Sequence, residues 1–508
     1  MIRLPAFHIK LEAEGMIDIV ASNGEALLTI DYHKALEFMV HRPLGYPLNI
    51  PRVVWKVSEL VGILKTMLPK MAVEGLSAEP FRVAWDDMGR YRLYYNPGKV
   101  FQDNVNHEEV LIYSLSQFFP DGTEAPANIE ELTARCRELT CALKGLGVTE
   151  IKQMYSPVAV MEDAGLLEGM YENLPTFVDI PDGCCDYAME VGGMLDKKRE
   201  WNECYQTGYF KEGEVWSYDV ASCYGWHGSR LRDIRGADIK KSKTYVGDAV
   251  YGFLRGDLSI DPSGTYAYCS PIVYPVGDRL TNPVGIIKNA YLTLDQARFI
   301  EWSNIGTFKL KDGWFISNPA RQKPLANIVR HFHKSREGAS PLSSYLLKRA
   351  ITGIIGRMGE WRRDKSGEYL PGQYFNPVYR SLILTGASLQ VGQFLVNYEV
   401  KQEELVLVAV DGAWLTRRIP LPLLSGLGQW RCAGTMSLII AGFNQRYKDK
   451  DCDTLLDEIE TVPDAVVYPS LDLSMALADQ DRLYARYPRT GKELISRRFV
   501  SYPVLVGE

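Results

Sequence analysis

Two aspartates, each closing a β-rich run, constrain this chain more than any other feature. The first is Asp219 in Tyr218-Asp219-Val220-Ala221-Ser222-Cys223-Tyr224-Gly225, and the second is Asp411 in Val408-Ala409-Val410-Asp411-Gly412. A strand edge holds such a side chain rigidly. Between them lies a basic segment whose helical pattern sets Lys348, Thr352 and Gly356 on one face, four residues apart. Carboxylates hold divalent metals and cations hold phosphates, so these are the parts an enzyme needs to handle a nucleoside triphosphate. Taken singly they say less. An Asp-Gly pair is first of all a turn, and a strand-terminal Asp is first of all a helix cap. The force lies in the order: strand-Asp, basic helical hairpin, hairpin-Asp.

Charge distribution supports the reading more than net charge does. The 508 residues carry a formal charge of -6, which argues weakly against a nucleic-acid binder. From Ser317 to Lys365, however, eleven Lys or Arg face only Glu337, Glu360 and Asp364. A solvated charged face is the alternative for that run. The length suggests about three domains. Nine cysteines occur without a CxxC pair, so neither zinc-ligand spacing nor a disulfide framework is indicated, and a reduced, cytoplasmic setting fits. Met1-Ile2-Arg3-Leu4-Pro5 does not read as a signal peptide. No apolar run approaches the ~18 residues of a membrane span.

The periodicity predicts strands within Gly15 to Ile30, Tyr91 to Phe101 and Val110 to Phe119. It predicts a helix from Ile129 to Gly145, whose Leu132, Cys136, Leu139 and Leu143 recur at three and four. Gly192-Gly193 and the polar run from Asp196 to Glu203 form a boundary. A strand over Glu214 to Asp219 follows, then β-rich sequence from Ala249 to Pro275 and a short helix from Leu292 to Trp302. Leu325 to Gly338 and Leu342 to Gly356 read as an α-hairpin, and Val378 to Glu399 as a helix apolar on one side. Leu405 to Leu415 reads as a β-hairpin with an Asp-Gly turn. The last 60 or so residues show little pattern.

In order and motif the chain resembles family B DNA polymerases, particularly compact phage and mobile-element enzymes, over roughly residues 185 to 450. Motif A of that family, Asp-x-x-Ser-Leu-Tyr-Pro, is matched by Asp219-Val-Ala-Ser222-Cys223-Tyr224-Gly225. Motif B, Lys-x-x-x-Asn-Ser-x-Tyr-Gly, is matched by Lys348 and Gly356, with Thr352 and Ile355 in place of Asn and Tyr. Motif C, Asp-Thr-Asp, is matched by Ala409-Val410-Asp411, which keeps the second Asp, the direct metal ligand in the family. Gln445-Arg446-Tyr447 stands where the family has a primer-gripping Lys-x-Tyr.

The resemblance implies an α+β fold: a right-hand polymerase of palm, fingers and thumb, preceded by a ribonuclease-H-like α/β exonuclease-like domain. The expected divisions are 1–190 for a degenerate exonuclease-like domain, 191–316 and 366–444 for the palm, 317–365 for the fingers and 445–508 for a short thumb. Asp219, Asp411 and the backbone of Val220 would bind two Mg2+ ions, with Mn2+ an alternative. Ser222, Tyr224, Arg336, Lys348, Thr352 and Gly356 would bind the nucleotide, with the Tyr224 ring excluding a 2′-hydroxyl. Arg446 and Tyr447 would hold the primer. Gly353 and Gly356 each cost helix stability, about 1 kcal/mol. Either a base pair packs against that backbone or another helix does.

In the amino-terminal region the nearest equivalents of the family's exonuclease ligands are Glu12, Glu14, Glu59, Ser114 and Glu131, with Ala127 where the family has Tyr. Glu is longer than Asp by one methylene, and Ser114 brings no charge. The region reads as the shell of an exonuclease domain without activity. The implied function is DNA-directed synthesis on primer-template DNA from dNTPs without proofreading. The alternatives are a primase-polymerase or protein-primed polymerase, and a catalytically dead nucleic-acid-binding scaffold. An accessory replication protein or protein primer is a further partner, and a membrane is not.

Overall fold

The structure is a computed structural model. It describes residues 4–13, 16–40, 51–66, 77–78, 81–85, 91–95, 108–120, 122–151, 154, 156–167, 174, 180–193, 201–276, 279–281, 283–363, 368–422, 426–440, 446–461, 495–499 and 504–506. The chain divides into two compact units, Met1–Glu172 with His331–Ile354, and Asn173–Arg330 with Ile355–Glu508.

The first unit begins with a meander of β1 (Phe7–Leu11), β2 (Ile17–Ala21) and β3 (Ala26–Thr29), followed by α1 (Tyr32–Val40). The single strand-like run read over Gly15 to Ile30 is therefore two strands, turned at Gly24 with φ 90°. Next come β4 (Arg52–Val54), α2 (Val57–Thr66), β5 (Ser77–Ala78), β6 (Phe81–Trp85), β7 (Tyr91–Tyr95) and β8 (Glu108–Ser114). They form a mixed sheet in the order β4-β8-β7-β6-β5, where β4 and β8 run parallel and the other pairs antiparallel. Along β2, Ile17, Ile19 and Ala21 turn inward while Asp18 and Val20 are half-buried, the two-residue period of a one-sided strand. These residues join Phe7, Leu36, Met39, Val54, Leu60 and Ile112 in one core. The helix α3 (Ile129–Gly145) has the predicted bounds and buries the predicted Leu132, Cys136, Leu139 and Leu143. The short α4 (Pro157–Asp163) starts on Ser156, whose hydroxyl accepts from the Ala159 N–H.

The second unit begins with α5 (Asp182–Gly192), which ends on Gly193 in the left-handed conformation. There follow β9 (Asn202–Cys204), β10 (Gln206–Phe210), β11 (Trp216–Val220), α6 (Cys223–Arg230), β12 (Asp238–Ser242), β13 (Ala249–Ile260), β14 (Tyr274–Val276), β15 (Arg279–Thr281), β16 (Pro283–Thr293), α7 (Leu294–Ser303) and β17 (Gly306–Ser317). The helix read from Leu292 starts at Leu294, because Thr293 caps it in a box with Gln296 and Leu292 still belongs to β16. The hairpin α8 (Ala326–Ser335) and α9 (Pro341–Arg357), whose stretch His331–Ile354 belongs to the first unit, matches the predicted pair to within a turn. Beyond it lie β18 (Trp361–Arg363), β19 (Tyr369–Pro371), α10 (Pro377–Asn397), β20 (Leu405–Ala409), β21 (Gly412–Leu415), β22 (Trp430–Thr435), β23 (Leu438–Ile440), β24 (Arg446–Lys448), α11 (Lys450–Thr461), β25 (Arg498–Phe499) and β26 (Val504–Val506).

Two five-stranded sheets dominate this unit, in the orders β22-β11-β21-β20-β9 and β12-β17-β13-β16-β26. The predicted one-sided helix α10 is instead buried almost all round, including Val378, Tyr379, Leu382, Ile383, Ala387 and Leu395. Its Val391, Phe394 and Leu395 pack with Tyr218, Leu405, Val408 and Ala413 of the first sheet and with Trp201 just before β9, and its Leu389 joins the core of the second. The helix α5 packs on α10, β13 and β16, so the first stretch of the first unit stops at Glu172 and not at 190. Among the described residues, no helix is long and apolar enough to cross a membrane.

Candidate active site

The two aspartates meet. In the antiparallel pair β11–β21, Asp219 sits opposite Gly412, and the Val220 N–H donates to the Asp411 carbonyl at 3.1 Å. Two sequence-distant aspartates are thereby brought side by side along the backbone, one on β11 and one in the loop just before β21. Gly412 is not the turn residue that the Asp-Gly reading expected. The loop between β20 and β21 is Val410-Asp411, and Val410 takes the left-handed conformation, φ 56°. Gly412 is needed because a Cβ there would lie 2.6 Å from the Tyr218 carbonyl oxygen. The strands approach too closely for a side chain. A β-branched residue at positive φ is strained by about 1–3 kcal/mol. Two short bonds hold Val410 there: its N–H to the Trp201 carbonyl and the Asp411 N–H to the Ala409 carbonyl, both 2.7 Å. The strained turn fixes where Asp411 leaves the sheet.

After Asp219 the backbone makes a second left-handed step at Ser222, φ 52°. The step is pinned from outside. The Ala221 N–H donates to the Gln429 carbonyl at 2.9 Å, and the Gly428 N–H to the Ala221 carbonyl at 2.8 Å. The helix α6 then starts at Cys223. Its thiol is pushed up by burial and next by the charge of Asp411. Tyr224 is half-buried against the cluster of Val220, Cys223 and Ala387. Asp219 is not a helix cap, since no side chain caps α6.

Sequence reasoning missed Arg431. It lies on β22 directly opposite Asp219. Its Nε and Nη2 donate to both carboxylate oxygens, at 2.8 and 2.7 Å. The guanidinium is held above the usual arginine range, first by that bond, and the charges of Asp219 and Asp411 add to it. Only the sheet order reveals this partner, because its position marks no motif. Arg431 also answers whether the site suits a cation. A positive charge already fills the bidentate face of Asp219, and two carboxylates are hard oxygen donors of the kind magnesium takes. Among the described residues no group of three or more His, Cys, Asp or Glu is placed to hold a metal, so the donor set rests on two carboxylates and backbone.

The remaining nucleotide-binding candidates lie on the α-hairpin. Arg336 is half-buried and its Nε donates to the Ser344 hydroxyl at 3.2 Å. Lys348 is exposed, and the Thr352 hydroxyl bonds back to the Arg349 carbonyl at 3.0 Å. The two glycines part company. A Cβ on Gly353 would lie 2.6 Å from the Val158 Cβ, so this glycine serves close packing of α9 on α4. Gly356 has open space over it. Arg357 is spent on Glu360, at 2.8 and 2.9 Å, so the basic segment is less free than its composition suggests.

Arg446 and Tyr447 were read together as a primer grip, but β24 turns them to opposite faces. Tyr447 packs with Ile439, Cys452 and Leu455, whereas the Arg446 guanidinium lies 5.2 Å and the Lys448 ammonium 4.8 Å from the Trp414 ring centre. Lys448 shares the Arg446 face, as the two-residue period of a strand requires. Gln445 lies outside the described residues.

The exonuclease candidates have local partners. The Ser114 hydroxyl accepts from the Val57 N–H at 2.9 Å, at the start of α2. Glu131 accepts from the Ala127 N–H while its own N–H donates to Asn128, both 2.9 Å, at the start of α3. Glu12 pairs with Lys10 at 2.7 Å, and Glu59 lies 3.7 Å from Lys56. Glu14 lies outside the described residues.

No family model matches the chain, and no curated protein matches it in sequence. Solved structures do match. Phi29 DNA polymerase in its ternary complex with primer-template DNA and incoming nucleotide aligns with a TM-score of 0.56 at 9% identity, over 88% of each chain. Phi29 DNA polymerase in an orthorhombic crystal form aligns at 0.58 and 9%, over 88% of this chain and 87% of that one. The same enzyme bound to single-stranded DNA aligns at 0.56 and 10%, over 88% and 87%. The chain thus has the fold of phi29 DNA polymerase, a polymerase fold as the motifs led one to expect.

Proposed function

We propose that this protein is a template-directed DNA polymerase that adds deoxynucleotides to a primer 3′-hydroxyl. One observation carries the reading. Within a chain of phi29 polymerase fold, the motif A aspartate stands on β11 opposite Gly412, and the motif C aspartate immediately precedes that glycine in the β20–β21 loop, with the Val220 N–H on the Asp411 carbonyl. Asp219, Asp411 and the Val220 backbone would hold the divalent ions. Bound Mg2+ or Mn2+ would activate the primer hydroxyl and neutralise the phosphates.

The chain's own groups do the rest. Tyr224, packed against the cluster of Val220, Cys223 and Ala387, offers a half-buried ring that would close the space beside the sugar to a 2′-hydroxyl. Arg336, steadied by Ser344, and Lys348 are the phosphate-binding candidates that the motif resemblance implies on the α-hairpin. Arg446 and Lys448, stacked on Trp414 two residues beyond Gly412, would present cations to the primer backbone. Proofreading is absent on this reading, because Ser114 and Glu131 are engaged in starting α2 and α3.

A second reading, a DNA-binding scaffold without activity, is favoured by the Arg431 lock on Asp219. Primer extension with Mg2+ or Mn2+ decides between them. The polymerase reading expects extension of a primed template and none from Asp219→Asn or Asp411→Asn in verified folded protein. Activity in either variant removes the site assignment, and none in the parent favours the scaffold. Product from an unprimed template indicates a primase-polymerase.

A further inference from the structure

The second unit contains a cavity of about 680 Å³ at the carboxyl end of α6, walled by α7, α10 and β13. Asp219 precedes the other end of α6, a helix of eight residues and so about 12 Å long. The two places are therefore separate, and neither Asp219, Asp411 nor Tyr224 lines the cavity.

Its lining is cationic on an acidic chain. Arg230, Arg232, Arg298 and Lys323 face a single acid, Asp295. Asp295 is taken by Arg298, at 3.3 Å. Arg230 stacks on Trp226, which leaves its charge uncancelled, and Arg232 and Lys323 are exposed. Three like charges around one hollow give it a positive potential that favours an anion. The anion has an aromatic seat. Trp302 is 57% exposed at the rim, tilted against Phe299 with ring centres 5.6 Å apart. His227 adds no charge near neutral pH. Burial lowers it to about 4, and its bond to Gln390 at 2.9 Å opposes this only partly. The volume is that of sites that take small organic ligands.

We infer that this cavity is a second nucleotide site, which takes phosphate on Arg230, Arg232 and Lys323 and a base on Trp302. Free nucleoside phosphates and a nucleotide within a single strand share that chemistry.

The test uses the full chain with EDTA, so that nucleotide binding that depends on metal at Asp219 and Asp411 is silent. Calorimetry with dATP, inorganic tripolyphosphate and a short oligo-dT should show dATP or the oligonucleotide binding without metal. Arg232→Glu with Lys323→Glu should weaken that binding at least tenfold while primer extension is kept. Trp302→Ala should weaken dATP or the oligonucleotide about fivefold or more and leave tripolyphosphate unchanged. Tight dATP assigns the site to free nucleotides, and binding of the oligonucleotide alone assigns it to a strand. As a readout independent of the charge reversal, light-activated 8-azido-dATP, or an oligonucleotide carrying the azide, should label the peptide containing Trp302. The inference is overturned if neither dATP nor oligonucleotide binds without metal, if charge reversal leaves binding unchanged, or if tripolyphosphate matches dATP and Trp302→Ala has no effect.

Discussion

Arg431 sets the terms on which any metal reaches Asp219. Its two bonds occupy both carboxylate oxygens, so an arriving cation must displace a guanidinium. The pair is open to water, with side-chain exposures of 53% and 31%, and exposed pairs are worth under about 1 kcal/mol. Arg431→Ala should therefore tighten Mn2+ binding by about fivefold or less, read as free Mn2+ by electron paramagnetic resonance. Weaker binding would mean that Arg431 orients Asp219 for the metal and does not compete with it. Tyr224→Ala should raise incorporation of ribonucleotides relative to deoxynucleotides, measured as the ratio of the two kcat/KM values. An unchanged ratio in an active variant would remove Tyr224 as the gate. At this scale the sequence is readable where the order of residues carries the signal. Asp219 and Asp411 stand out through their order around a basic helical hairpin, since singly each reads as a cap or a turn. Arg431 does not, because its role exists only once β22 pairs with β11. Ser114 and Glu131, read as remnants of a degenerate metal site, have local bonds at the starts of α2 and α3, which hydroxyl and carboxylate supply as readily as they serve metals.

Among the elements, the α9 helix carries two glycines with different duties. At Gly353 an added methyl would press on Val158 at 2.6 Å, a contact that packed side chains do not tolerate. Gly353→Ala should destabilise the protein by about 1–3 kcal/mol despite alanine's better helix propensity. Gly356 has room for a methyl, and Gly356→Ala should stabilise by up to about 1 kcal/mol. Urea midpoints of the two variants should therefore move in opposite directions. If Gly356→Ala also loses primer extension, its open face receives substrate; if it keeps full activity, Gly356 is no part of the nucleotide site. The same contrast explains what could be read of the elements. The helix α3 was legible to the residue because one face meets one core. The helix α10 was misread as one-sided because two sheets and α5 cover it, which erases the polar face. Gly412 read as a turn glycine because Asp-Gly usually is one. Its close approach to Tyr218 is a tertiary fact with no local signal.

Across the whole molecule, the proposal of a polymerase without a working editor makes a sharp demand on the amino-terminal region. Hydrolysis of a 3′ end by metal ions needs several carboxylates converging on one point. Here each described candidate already has a local task. Ser114 ties β8 to the start of α2, Glu131 closes the first turn of α3, and Glu12 and Glu59 lie beside Lys10 and Lys56. A displacement of about 1 Å can cost a hundredfold in rate, and a hydroxyl in place of a carboxylate removes a charge outright. A mismatched primer held with Mg2+ or Mn2+ and no nucleotides should therefore keep its length. Asp219→Asn serves as the background, since it is expected to disable synthesis and lies within the second unit. Shortening that persists in Asp219→Asn but disappears in Glu59→Gln would show that these carboxylates still gather metal and that the protein edits. Shortening that survives Glu59→Gln, Glu12→Gln and Glu131→Gln together would place hydrolysis elsewhere in the chain.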